Sequence, residues 1–367
     1  VFYNPKALFP HLIEKIMTKA LLIFCLMAFI QSAHAKDYYL SLNGQDRNSG
    51  SESKPFRSFS HALNKLSAND TLIVEAGRYT QSIDITGRLG NRLKGVTIRA
   101  RKGADVVLDG TDSLKSAKWR KLNKGIYVAK LDQPISQLFD DNTLLTPARW
   151  PNAHMTDSNF FNVKETNRMM VQGNSTLGTV VDARPLTDSD SLSMVTENQI
   201  TDIRIRNGMN MQALSDTGVS FKNAISVMNI GSWMNFVSRI TDHTAGDNTF
   251  NYDPDFSESG DKIKRITKEF KPGGKFSYFL AKQYWHPHYY FIEGLAALDV
   301  EREYWYDQVS SSIYYKPEGG NLNPAVLRGK RRSYMLKAQN CRNMTFDGLN
   351  FFGGTFSLKG CTGTTIK

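Results

Sequence analysis

Short apolar runs closed by turn residues recur along the first third of this chain, and one stretch shows a helical period. Tyr38 to Leu42 alternates as a strand, and the "NGQDRNSGS" that follows is turn chemistry. Phe59, Ala62, Leu63 and Leu66 fall at i, i+3, i+4 and i+7, which puts them on one face of a short helix. Then come "TLIVEAG", "SIDITG", "VTIRARKG" and "DVVLDGT", β-branched runs with Gly in or beside the closing turn. Ile73 and Ile98 lie twenty-five residues apart, roughly one circuit of a three-sided solenoid.

Runs this short and this apolar cannot stand alone. Stacked in successive circuits they make continuous parallel sheets around one narrow core, the logic of a parallel β-helix. The first circuit of such a solenoid has an open edge. The helix from Phe59 to Leu66 is placed to cap it. From about Leu114 the circuit spacing is lost. "AKWRKLNKGIYVAKL" and "ISQLFDDNTLLTPARWPN" read as strand, turn, strand, with Asp141-Asn142 at a hairpin corner. Residues 114–328 therefore read as an inserted β-sandwich-like domain between a cap with first circuits (36–113) and a resumed repeat (329–367). The resumed repeat contains "SYMLKAQNCRNMTFDGLNFFGG".

The amino end has a different pattern. Met17 opens "MTKALLIFCLMAFIQSAHAK", with a positive start, an apolar run of eleven from Ala20 to Ile30, and a small-x-small site at Ala33 to Ala35. That is a secretory signal peptide spanning Met17 to Ala35, too short to leave a stable membrane anchor after cleavage. Residues 1–16 read as upstream frame, and the expected location is secreted or periplasmic.

Charge and cysteines narrow the partners. The net charge is +11, and removing residues 1–35, with three Lys and one Glu, lowers it to +9. A basic exported protein suits an acidic partner such as a uronate or sulfated polysaccharide, or simply has a basic, soluble surface. Lys and Arg are scattered without a binding motif, which argues against nucleic acid. Cys341 and Cys361 are twenty residues apart, with no zinc spacing. Either a disulfide or two stacked thiols fits them. No phosphate loop, dinucleotide fingerprint, nucleophile elbow or zinc motif appears, so no cofactor or metal is implied.

The stretches "YYLSLNGQDRNSGSESKPFRSFSHAL", "NDTLIVEAGRY" and "VTIRARKGADVVLDG" resemble secreted right-handed parallel β-helix (pectin-lyase-like) proteins, among them polysaccharide lyases and glycoside hydrolases. "LFDDNTLLTPARWPN", "YYFIEGLAALDVEREYWYD" and "SIYYKPEGG", in that order, resemble glycoside hydrolases whose β-helix is interrupted early by a β-sandwich. The second motif departs from those relatives. They tend to have Pro-Gly before Glu-Trp, whereas here Glu301-Arg302 precedes Glu303 and Tyr304 separates it from Trp305. The resemblance implies an all-β fold and hydrolysis of plant or algal polysaccharide or oligosaccharide by two carboxylates. Those carboxylates are expected on later circuits, C-terminal to Lys367. A lyase acting on an acidic glycan and a non-catalytic glycan-binding protein are the alternatives.

Several residues are candidates for substrate contact. Trp285, His286 and His288 in "KQYWHPHYYFIEG" suit a sugar-stacking wall with a proton-carrying imidazole, or an aromatic strand pair with locally satisfied histidines. Arg149 and Trp150 could clamp a carboxylate and stack on a sugar, while Pro151 equally marks a rigid strand end. Glu303 and Trp305 share an alternating row with Asp299, Glu301 and Asp307, which reads first as a solvated acidic face. Asp109 and Asp347, each followed by Gly, read as equivalent corner turns. "RGKRR", Arg328 to Arg332, could meet an acidic glycan or be a solvated linker.

Overall fold

The computed structural model describes residues 35–150, 152, 178–182, 213–231, 234–253 and 289–367. Their regular structure is mainly β-strand, with two short α-helices, Phe59–Lys65 and Arg88–Arg92. The chain divides into two compact units. One runs to Gly110 and resumes at Ser333–Lys367, and the other is Thr111–Arg332.

The first unit has three sheets, and every pairing in them is parallel. One sheet has the order Asp37–Leu40, Thr71–Val74, Thr97–Ala100, Thr345–Asp347, Thr365–Ile366. A second has Thr355–Lys359, Tyr334–Gln339 and Ile83–Ile85, and the third Leu349–Phe352, Val106–Asp109 and Gly77–Tyr79. From Thr71 the chain visits the first, third and second sheets in rotation, then begins the rotation again. Their inward residues, including Leu72, Ile98, Phe346, Tyr79, Leu108, Ile85 and Leu336, form one core. Each such side chain contributes about 1.5–3 kcal/mol by leaving water.

The short helix forms where its apolar spacing predicts. Phe59, Ala62 and Leu63 are buried, and Leu66 caps it with no exposed surface. Ser58 is the N-cap, its Oγ accepting from the His61 N–H at 3.2 Å. Asp46 in turn holds the cap, accepting from Ser58 Oγ at 2.7 Å and from the Ser58 and Arg57 N–H groups at 2.9 Å.

The corners before the first sheet follow one rule. Asn69, Gly95, Asn343 and Gly363 all have positive φ, between 53° and 70°, and each lies two residues before a strand of that sheet. They stack, because the N–H of Asn69 donates to Lys94 O, that of Gly95 to Arg342 O, and that of Asn343 to Thr362 O. A left-handed backbone admits Gly freely and Asn at modest cost. Here the two alternate for a second reason. A Cβ on Gly95 would overlap Asn69 Oδ1, and one on Gly363 would overlap Asn343 Oδ1.

Two expectations need correction. The circuit here is twenty-six residues, because Leu72 pairs with Ile98 while Ile73 pairs with Arg99. With side chains alternating in and out, that one-residue difference puts Leu72, not Ile73, in the core row. Asp109 and Asp347 are not equivalent either. Asp347 pairs with Arg99 in the first sheet and precedes Gly348 at φ 68°, whereas Asp109 pairs with Phe352 in the third. Asp109 is fully buried and accepts from Arg78 at 2.7 Å, and the Arg78 guanidinium lies 4.7 Å from the Phe352 ring centre.

The described residues of the second unit form four-, five- and six-stranded sheets, so the fold mixes parallel and antiparallel pairing. Among the described residues the second unit's pairings are antiparallel except that Thr146–Pro147 runs parallel to Glu303–Asp307. The four- and five-stranded sheets share a core of Leu138, Leu327, Ala129, Tyr304, Ile313 and Tyr315. The six-stranded sheet builds another around Trp150, Phe221, Met228, Ile240, Phe250 and Ile292. Asp141 and Asn142 make the two-residue loop that closes the pairs Phe139↔Leu144 and Asp140↔Thr143, with Asp141 at φ 53°.

Candidate functional site

The residues "TPARW" cross from one sheet of the second unit to another. Thr146 and Pro147 pair with Glu303 and Tyr304 of the five-stranded sheet, while Arg149 and Trp150 pair with Glu293 and Ile292 of the six-stranded one. Ala148 sits at the crossing. Its N–H donates to Tyr304 O at 2.7 Å, and its carbonyl accepts from the Gly294 N–H at 3.2 Å. No regular ladder serves a backbone that changes sheets, so side chains take over next door. The Arg149 N–H donates to Glu303 Oε1 at 3.4 Å, and its guanidinium reaches Glu293 Oε1 at 3.1 Å and Pro147 O at 3.3 Å.

This crossing gathers two carboxyl groups around one buried arginine. Glu303 has no exposed surface, and its Oε2 finds no hydrogen-bond partner. The residue opposite it, Lys316, sends its ammonium to Asp299 O instead. Burial pushes the Glu303 carboxyl up to about 8, and the nearby Asp299 charge adds to this. The Arg149 N–H and guanidinium oppose both without prevailing. Burial likewise raises Glu293, with Arg149 pulling the other way, and its side chain keeps 26% exposure. Near neutral pH the cluster thus holds a protonated Glu303 beside an ion-paired Arg149–Glu293. Glu303 can hold a proton but, sealed from solvent, cannot deliver it to a sugar oxygen in this geometry.

The predicted residues fall in different places. Arg149 and Glu303 meet. Trp150 is buried, its ring centre 6.0 Å from that of Phe221 within the core of the six-stranded sheet. Trp305 lies two residues beyond Glu303 on the same face of the strand Glu303–Asp307, directly across from Tyr314, and both are half-buried. Trp285, His286 and His288 lie outside the described residues. The solvated acidic face does not form. Strand structure starts only at Glu303, after a turn in which Arg302 has φ 66°, so Asp299 and Glu301 do not share its row.

The basic run is internally compensated. Arg331 meets Asp132 at 2.8 Å and Asp112 at 3.6 Å, and Arg332 meets Asp112 and donates to Thr111 O at 2.8 Å. Arg328 donates to Thr111 Oγ1 at 2.8 Å. Sequence reading missed Glu293, whose only signal is its place in "FIEG". It also missed Asp112 and Asp132, which nothing in the local pattern ties to residues two hundred positions away.

Fold and site together describe an all-β protein in which a unit of parallel sheets is interrupted by a unit of mainly antiparallel ones. No family model matches the sequence. Among curated proteins, "Uncharacterized protein YwoF" of Bacillus subtilis (strain 168) is 36% identical over 84 residues, 23% of this chain and 18% of that protein. Among solved structures, one described as "Glycoside hydrolase" is similar with TM-score 0.55 and 16% identity, over 88% of this chain and 51% of that one. "The complex structure of XylC with xylose" has TM-score 0.29 and 13% identity, over 86% of this chain and 36% of that one, too low to carry an argument. The chain therefore matches about half the length of the glycoside hydrolase structure and less than a fifth of YwoF. The former likeness is one of fold.

Proposed function

We propose that this chain belongs to an exported carbohydrate-active protein built on a right-handed parallel β-helix, hydrolysing glycosidic bonds of a polysaccharide or oligosaccharide with two carboxyl groups. The observation that carries the reading is the repeated rotation through three parallel sheets around one core, broken between Gly110 and Ser333 by the second unit. The glycoside hydrolase likeness supports that architecture. Within the second unit we assign Trp305, with Tyr314 across from it, to sugar stacking, since a half-buried aromatic offers a ring face beside polar neighbours. The pairing of Thr146 and Pro147 with Glu303 and Tyr304, joined by the Arg149 N–H to Glu303, then positions the start of the strand that carries Trp305. A lyase would need a cationic cluster facing an acidic glycan. The compensation of Arg331 and Arg332 by Asp112 and Asp132 weighs against that run serving it.

Incubating the protein as its gene encodes it, together with any circuits that follow Lys367, with neutral and acidic polysaccharides decides among these readings. New reducing ends without unsaturated uronate absorbance are expected. Both signals together make it a lyase, and binding without product makes it a glycan-binding protein. Export is tested by expression in a bacterial host and sequencing of the mature amino end, which should begin at Lys36.

A further inference from the structure

The geometry points to Cys341 and Cys361 as a disulfide-forming pair that staples two neighbouring turns of the first unit, a reading independent of any action on glycans. Each follows a left-handed corner residue, Asn340 at φ 56° and Gly360 at φ 63°. The strands before them pair in parallel register through Gln339↔Lys359, and the residues after them bridge as Arg342↔Thr362. The cysteines are therefore level with each other. The Thr362 N–H donates to Cys341 O at 2.9 Å, closing the backbone around the pair.

Parallel neighbours lie about 4.8 Å apart, inside the Cα separation that disulfides span, about 4.4–6.8 Å. Both side chains turn inward. Cys341 is fully buried in the core, and Cys361 packs against that core while keeping partial exposure. The Cys361 sulfur lies 3.4 Å from Ala338 O, so it leans onto the strand that leads to Cys341. Both thiols are free in this structure. Burial, and then the neighbouring Cys361, push the Cys341 thiol up to about 12.

The oxidant is a small disulfide such as oxidised glutathione. The accessible Cys361 thiolate attacks one of its sulfurs, forming a mixed disulfide and releasing one glutathione thiolate. Cys341 then loses its proton to solvent and attacks the Cys361 sulfur, expelling the second glutathione. Overall, two protein thiols become one disulfide, and one oxidised glutathione becomes two reduced molecules. The closed loop holds nineteen residues between the two cysteines.

The test uses the full chain carrying Cys25→Ser, so that only these two thiols remain, treated natively with oxidised glutathione. The expected result is loss of both thiols, a mass lower by two hydrogens, and a non-reduced peptide joining Cys341 to Cys361. Cys341→Ser should stop at a stable single glutathione adduct, and in Cys361→Ser the remaining thiol should react only on unfolding. Closure timed from a preformed adduct should speed up about tenfold per pH unit through the neutral range, because only the thiolate attacks. A Cys341/Cys361 chain that halts at the single adduct, or loses no thiol before unfolding, overturns the proposal.

Discussion

The corners of the first unit and the crossing at Ala148 in the second face the same difficulty, a backbone that must leave one sheet for another. The first unit answers it repeatedly and without charge. Asn69, Gly95, Asn343 and Gly363 adopt one conformation, bond one another's turns through the backbone, and need only that a Gly lie beside each Asn. At Ala148 the second unit answers it with a buried guanidinium and two carboxyl groups drawn from positions 149, 293 and 303. Repetition lets a cheap local residue choice serve every turn. A crossing outside any repeat must instead recruit distant side chains, and the cost of burying them shows in the raised Glu303 carboxyl.

The sharpest way to break this contrast is Arg149→Leu. It removes the guanidinium that pairs with the largely buried Glu293, while the Glu303 contact, made by the backbone N–H of position 149, survives, and it should cost about 3 kcal/mol in chemical denaturation of the second unit. Next is Glu303→Gln, where the sign matters. The folded carboxyl titrates at about 8 and the unfolded one at its ordinary 4.5. The contribution of Glu303 to stability is therefore fully present below pH about 4.5, where both states hold the proton, and is lost progressively as pH rises through about 8. The second unit should lose about 3 kcal/mol between pH 5 and pH 7. Glu303→Gln, which does not titrate, should flatten that slope in melts across the same range. A wild-type slope equal to that of the variant would show that Glu303 is ionised when folded.

In the first unit, Gly95→Ala should cost about 2 kcal/mol through the overlap with Asn69 and the positive φ. Adding Asn69→Gly should recover part of this, since it removes the overlap and leaves only the backbone strain. Equal losses in the single and double variants would remove side-chain exclusion as the reason for the alternation. Smallest is Ser58→Ala, which deletes the helix N-cap and should cost about 1 kcal/mol, read from the thermal midpoint of the first unit.

Much of the first unit can be read from the chain, because its rules are local. The face formed by Phe59, Ala62, Leu63 and Leu66 and the β-branched runs follow from nearest-neighbour spacing, as does the Asp141-Asn142 hairpin in the second unit. Register does not. A circuit of twenty-five and one of twenty-six look alike in "TLIVEAG" and "VTIRARKG", and only stacking selects the pairing of Leu72 with Ile98. The same limit made Asp109 and Asp347 look equivalent, since both precede Gly, although they lie in different sheets.

The candidate site was legible only in part. Arg149 and Glu303 were singled out separately, by a motif and by a row of acids, and nothing local joined them. Glu303 looked solvated because an alternating run of acids normally faces water, but a turn at Arg302 starts the strand late and aims this carboxyl inward.

By itself, then, the sequence determined that the chain is β-rich, that one helix has an apolar face, and that a repeat stops and returns. Those features depend on the period of side chains along one strand or helix, which is written in consecutive residues. Tertiary structure alone decided which coils are in register, that Cys341 lies level with Cys361, and that Arg149 answers to Glu293 and Glu303. Such pairings are set by how sheets stack and where water is excluded, and these depend on the whole chain at once.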